Sequence, residues 1–249
     1  MNRAAVWAGL LLAAAFAWIG VVAVANGMDA TTGTMGFGFI AFAAVWTLMM
    51  AAMMLPSIGP FAVLYTRTFA VGRGARTVGF ALGYMLVWVA AAVPAFALAW
   101  VGDRVVGHHP NWAIALSVPI FAAFGLYQLT SLKDRCLSHC RSPIAFVVHY
   151  GSYRGRTRDV RVGLHHGGYC IACCWALMLL LFAFGLMNLF AMAVVAMAVY
   201  VEKAWRHGLG FARVIGSVGI ALAVVVLFVP SIATGLHHTM NMSMQMGGR

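Results

Sequence analysis

Residues 164–203 read LHHGGYCIACCWALMLLLFAFGLMNLFAMAVVAMAVYVEK, a run whose apolar character is unbroken until its final Glu-Lys pair. As one helix it would be about 60 Å long, twice the ~30 Å hydrocarbon core of a bilayer. Gly185 and Asn188 offer the only break. The stretch therefore divides into helices near 164–186 and 188–203 joined by a tight hairpin. Working outward, further runs of about 20 apolar residues predict helices near 4–25, 36–55, 77–101, 112–132 and 212–231. The expected fold is all-α, a polytopic helical membrane protein of about seven transmembrane helices.

Composition supports that reading. Of 249 residues, 63% are hydrophobic and 8% charged, and the mean hydropathy is +0.92. A soluble domain carries about a quarter charged residues and could not solvate this surface. The runs are continuous rather than alternating, which excludes a β-barrel. The first run follows Met1-Asn2-Arg3 like a signal peptide, but it is too long and lacks a clear cleavage site, so it reads as a retained span. A net charge of +11 would suggest nucleic acid in a soluble protein. Here the basic residues sit in short connections, and no basic domain is left to bind it.

Lysine and arginine positions orient the chain. Arg3, Arg67, Arg73, Arg76, the 133–163 loop, Lys203, Arg206 and Arg213 fall on one side, and only Arg104 and Arg249 fall opposite. The positive-inside rule then puts the N-terminus inside and the C-terminus outside. The expected location is a bacterial-type inner (plasma) membrane, with residues 1–236 as the helical domain and 133–163 as a cytoplasmic basic loop. Within that loop, Ile144–Tyr150 is apolar but too short to span, and suits the membrane surface.

The five cysteines form two groups, Cys136-x-x-x-Cys140 and Cys170-x-x-Cys173-Cys174. Spacings of three and four place each group on one helix face. Both lie near the cytoplasmic side, where thiols stay reduced and clustered cysteines serve metal or redox chemistry. The same residues can also act as small hydrophobes. Met50, Met53 and Met54, with Met49, end the second helix before Pro56, at the depth of the thiols; Met178 continues the cysteine stripe. Glu202 is the only glutamate. As an ionisable group at a helix end it reads either as an interfacial partner of Lys203 or as a carboxylate supporting a metal or a proton path.

Residues 237–249 end the chain as a His/Met-rich tail outside the membrane. It carries His237, His238, Met240, Met242, Met244 and Met246. Thioethers are soft ligands that select Cu(I), and imidazole also serves Cu(II). The candidate metal ligands are thus Cys136, Cys140, Cys170, Cys173, Cys174, Met50, Met53, Met54, Met178, Glu202, His237, His238, Met240, Met242 and Met244.

Several motifs resemble a family of predicted metal-binding integral membrane proteins. They are Met49-Met50-x-x-Met53-Met54-x-Pro56, Lys133-x-x-Cys136-x-x-x-Cys140-Arg141-x-Pro143, Cys170-x-x-Cys173-Cys174-Trp175-x-x-Met178, Gly185-x-Met187-Asn188 and Glu202-Lys203. The resemblance spans residues 35–205 and implies a helical membrane fold with a metal site. The expected function is Cu(I) handling by transport, buffering or delivery, with another soft metal or zinc as the substitute ion. The rivals are a membrane thiol or metal-dependent oxidoreductase and a non-catalytic subunit of a larger complex. The expected partners are the lipid bilayer, a metal ion, and a membrane protein or second copy of the chain; nucleic acid is not among them.

Overall fold

The computed structural model describes residues 3–26, 33–67, 72–108, 112–141, 150, 153, 155, 157–229 and 232–233. These residues form nine α-helices and no strand: α1 Arg3–Asn26, α2 Phe39–Met54, α3 Gly59–Arg67, α4 Arg73–His108, α5 Trp112–Gln128, α6 Ser131–Arg141, α7 Arg158–Phe184, α8 Leu189–Ala204 and α9 Gly208–Phe228. The His/Met tail and residues 144–149 of the apolar loop stretch lie outside the described residues.

Four helices, α1, α4, α7 and α9, are each long and apolar enough to cross a membrane. Two bent pairs bring the number to six. α2 continues into α3 through a 43° bend, and α5 into α6 through a 62° bend. Pro56 sits at the first bend, opening a short 3-10 turn over Pro56–Ile58, where a ring without an N–H ends regular helix. α8 has 16 residues, about 24 Å, and alone falls short of the core thickness. The outer surface is apolar: Phe16, Ile40, Phe190 and Phe228 are each more than 70% exposed.

Contacts fix how the helices run. Trp46 Nε1 donates to the Trp88 carbonyl and Phe42 meets Phe96, so α2 and α4 are antiparallel. Gly20 faces Leu48, and Trp7 faces Gly59, which sets α1 against α2 and α3. Phe121 touches Phe184 while Tyr127 donates to the Ala172 carbonyl, so α5 opposes α7. Gly125 and Phe124 face Gly216 and Gly219, so α5 opposes α9. α4 and α7 run parallel, with Phe80 beside Gly163 and Val87 beside Gly167. In chain order α1, α2, α4, α5, α7, α8 and α9 therefore alternate in direction. Every described lysine and arginine except Arg104 gathers at one end. At the other end the Asp103 carboxylate accepts from the Gly33 and Thr34 amides and the Thr34 hydroxyl.

The α4–α7 contact needs glycine. A Cβ on Gly163 would lie 2.1 Å from the Phe80 carbonyl oxygen, and one on Gly83 would lie 2.1 Å from that of Val160. Small residues let two apolar helices approach at backbone distance.

One expectation changes here. The 133–163 segment is not one loop, because α6 occupies Ser131–Arg141 and α7 already begins at Arg158. Thr130 starts α6, its hydroxyl accepting from the Lys133 amide at 3.2 Å, and Lys133, Cys136 and Leu137 form its buried face. α7 is continuous through Gly167, Gly168 and the cysteines. The long apolar stretch breaks between Phe184 and Leu189. Gly185 takes φ +96°, a region open to glycine, and Asn188 caps α8 by accepting from the Ala191 amide at 3.0 Å.

Candidate metal centre

The hairpin of α7 and α8 brings Cys170 to Lys203, residues at similar distances from the turn. Helical spacing then puts Cys170, Cys173 and Cys174 on one inward face, where all three are at most 1% exposed. All are free thiols, and their sulfurs lie within 4.8 Å of one another. Cys170 and Cys174 are 3.8 Å apart. Three sulfurs bound to one ion at about 2.3 Å each would lie about 4.0 Å apart. The donor set therefore fits a soft ion with only small side-chain adjustment.

Cys140 reaches this group from α6, with its Sγ 4.0 Å from that of Cys173. Cys136, one turn earlier, is buried against the same core but does not join the three-thiol group. Met49, Met50, Met53, Met54 and Met178 are all buried in the surrounding core. The methionine run leads down α2 to Ser57, whose hydroxyl accepts from Lys203 at 3.2 Å.

Lys203 does not pair with its neighbour Glu202. Its Nζ donates to Cys170 Sγ at 2.8 Å, and the Tyr84 hydroxyl lies 3.0 Å from the same sulfur. Glu202 instead binds Lys133 at 2.7 Å through one carboxylate oxygen and the Gln128 amide at 2.7 Å through the other. Lys133 and Glu202 are both at most 1% exposed, and Lys133 also donates to the Cys173 carbonyl at 2.5 Å. With both oxygens engaged, Glu202 stands as a counter-ion beside the thiols. His166, one turn before Cys170, is stacked on Phe61 at 4.3 Å as part of the aromatic packing. Close by, His139 stacks on Tyr169 and the Tyr150 hydroxyl is hydrogen-bonded to His165 Nδ1. Burial raises the Tyr150 hydroxyl above its ordinary value, which keeps it protonated.

Motif reading missed Tyr84, Gln128, Ser57 and the roles of both lysines. One signal was present: of 16 cationic residues only Lys133 and Lys203 are lysine, and both are at this centre.

Fold and site together define a class, an all-α chain of apolar helices that can hold a soft metal in a buried thiol group. The family can be given as well. The model of the PpoB2 copper chaperone family matches residues 43–226, well over half of the chain, and the protein belongs to that family. The matched segment contains all five cysteines, both lysines and Glu202, and stops short of the His/Met tail. No curated protein and no solved structure matches the chain.

Proposed function

We propose that the protein is a membrane-embedded copper chaperone that holds Cu(I) as cargo on Cys170, Cys173 and Cys174 near its cytoplasmic end. One observation carries the reading: three buried free thiols at the spacing one soft ion requires. Thiolate ligands favour Cu(I) over harder ions, and family membership points to copper over zinc. An oxidoreductase acting on protein disulfides finds less support, because thiols this deeply buried cannot meet such a substrate without rearrangement. The test is a Cu(I) titration of the detergent-solubilised protein against a colorimetric chelator. One Cu(I) held tightly by the thiols is expected, apart from any bound more weakly by the tail, with Cys173→Ser and Cys174→Ser each weakening the tight site at least about tenfold, since serine is a poor ligand for a soft ion. Wild-type protein that takes no copper from the chelator would refute it.

In this reading the seven alternating helices are seven crossings, α8 completing its passage with the residues around it. The N-terminus and basic end face the cytoplasm, and the C-terminus faces out. Alkaline phosphatase fused to the C-terminus should be active, and fused within 150–160 inactive; the reverse would overturn the orientation. His237, His238, Met240, Met242 and Met244 form a second, outer copper-binding segment.

A further inference from the structure

The cysteines at the centre are not equivalent in access. Cys170, Cys173 and Cys174 are at most 1% exposed, whereas Cys140 is half-buried. Cys140 contacts one member of the inner group, Cys173, at 4.0 Å. Two metal–sulfur bonds of about 2.3 Å span up to about 4.6 Å. A single ion can therefore touch the sulfurs of Cys140 and Cys173 together, with no movement of either helix. The end of α6 is also held in register. Arg141, next to Cys140, donates through Nη2 to the carbonyls of Trp205 at 2.5 Å and Arg206 at 3.0 Å, tying α6 to the segment that follows Lys203.

Building on the copper-holding reading, we propose that Cys140 is the exchange residue through which Cu(I) passes between a thiol donor outside the protein and the buried site. In the first step the Cys140 sulfur forms a bond to copper as the donor's bond to copper breaks. The Cys140 proton leaves with the departing donor thiolate. In the second, a Cu–Cys173 bond forms as the Cu–Cys140 bond breaks, and the Cys173 proton returns to Cys140. Copper stays Cu(I) throughout and no electron is transferred. Cys170 and Cys174 complete the inner set and draw the ion off Cys140. A direct approach of a donor to Cys173 would require opening the helix packing that buries it. Cys140 is the most exposed of the four sulfurs, so a donor arriving from α6 reaches it first.

Stopped-flow uptake from the coloured Cu(I)–bicinchoninate complex tests this. Cys140→Ser should bind copper at equilibrium with the wild-type stoichiometry and within about threefold of its affinity, yet load at least about tenfold more slowly, because hydroxyl is a poor exchange ligand. Cys136→Ser should load at the wild-type rate. Alkylation of the folded wild-type protein gives a reading that needs no variant. Copper-loaded protein should remain open to the small reagent iodoacetamide at Cys140 while the inner three thiols are protected. The proposal is overturned if Cys140→Ser loads at the wild-type rate, if it loses affinity as Cys173→Ser does, or if copper protects Cys140 equally. Wild-type protein that takes up no copper ends both readings, whereas normal uptake with an unaffected Cys140→Ser ends only this one.

Discussion

Replacing Glu202 by glutamine separates the two roles open to the chain's only glutamate. The carboxylate and the Lys133 ammonium are 2.7 Å apart, and neither side chain is more than 1% exposed. Glutamine keeps the shape and can still accept from Gln128, but it leaves Lys133 as an uncompensated buried charge. Breaking such a pair from one side costs about 3–5 kcal/mol. At about 2–4 °C per kcal/mol for a chain of this size, the expected fall in Tm is roughly 6–20 °C. Removing both charges in Glu202→Gln/Lys133→Met should recover most of that loss, because the desolvation of both ions is removed along with their attraction. The double variant should also bind Cu(I) with affinity close to that of wild type, since the three thiols are untouched. Thermal unfolding in detergent followed by circular dichroism, with the chelator titration alongside, measures both quantities. A single variant of wild-type Tm that has lost copper would refute the counter-ion assignment and make the carboxylate a ligand.

Other consequences follow from the packing and the charge. Gly163→Ala puts a methyl 2.1 Å from the Phe80 carbonyl, so α4 and α7 must part by about 1.3 Å to reach ordinary contact; overpacking of this kind costs about 1–3 kcal/mol, and Tm should fall accordingly. The same shift draws Tyr84 away from Cys170, so copper affinity should fall with stability, and a fall in neither would show that the helices are not held at this contact. Lys203→Met should lower Cu(I) affinity by about tenfold or more without changing stoichiometry, because it removes the cation beside the Cys170 sulfur; unchanged affinity would make that contact incidental. Deleting residues 237–249 should leave Tm unchanged and reduce copper tolerance in cells, and full tolerance across a wide copper range would remove the tail from the copper path.

The helices were legible because their signal is long and redundant. A run such as residues 77–101 is apolar at almost every position, and so continuous a run needs no alternation to be recognised. Gly185 and Asn188 marked the break because each has a local reason to be there, a positive φ and a cap. α6 was harder. Its sequence, SLKDRCLSHCR, is polar, and only the fold shows that Lys133, Cys136 and Leu137 face inward. The cysteines could be grouped by spacing within each helix, since i, i+3 and i+4 share a face. The contact of Cys140 with Cys173 joins residues on two helices, and no spacing encodes it. For Glu202, adjacency in sequence offers Lys203 as one of its two readings. In a helix, however, consecutive residues point about 100° apart, so Glu202 and Lys203 turn to different partners.

That divergence accounts for the charge at the centre. With Cu(I) held by the three cysteines, two ionised thiols already give the group a net negative charge, and a low-dielectric interior tolerates such a group only beside an opposite charge. Lys133 is already neutralised by Glu202, so its contribution is positional, fixing α6 to the Cys173 carbonyl. Lys203 has no carboxylate partner in the described structure; its contacts are Cys170 and Ser57. It is the cation left to balance the thiolates. Arginine stands at the other described basic positions, and Arg141 spreads its guanidinium over two carbonyls. A compact ammonium with three donors suits a single sulfur in a crowded site. The two lysines thus divide the work at the centre: Lys133 holds the scaffold in register, and Lys203 faces the sulfur that would carry the metal.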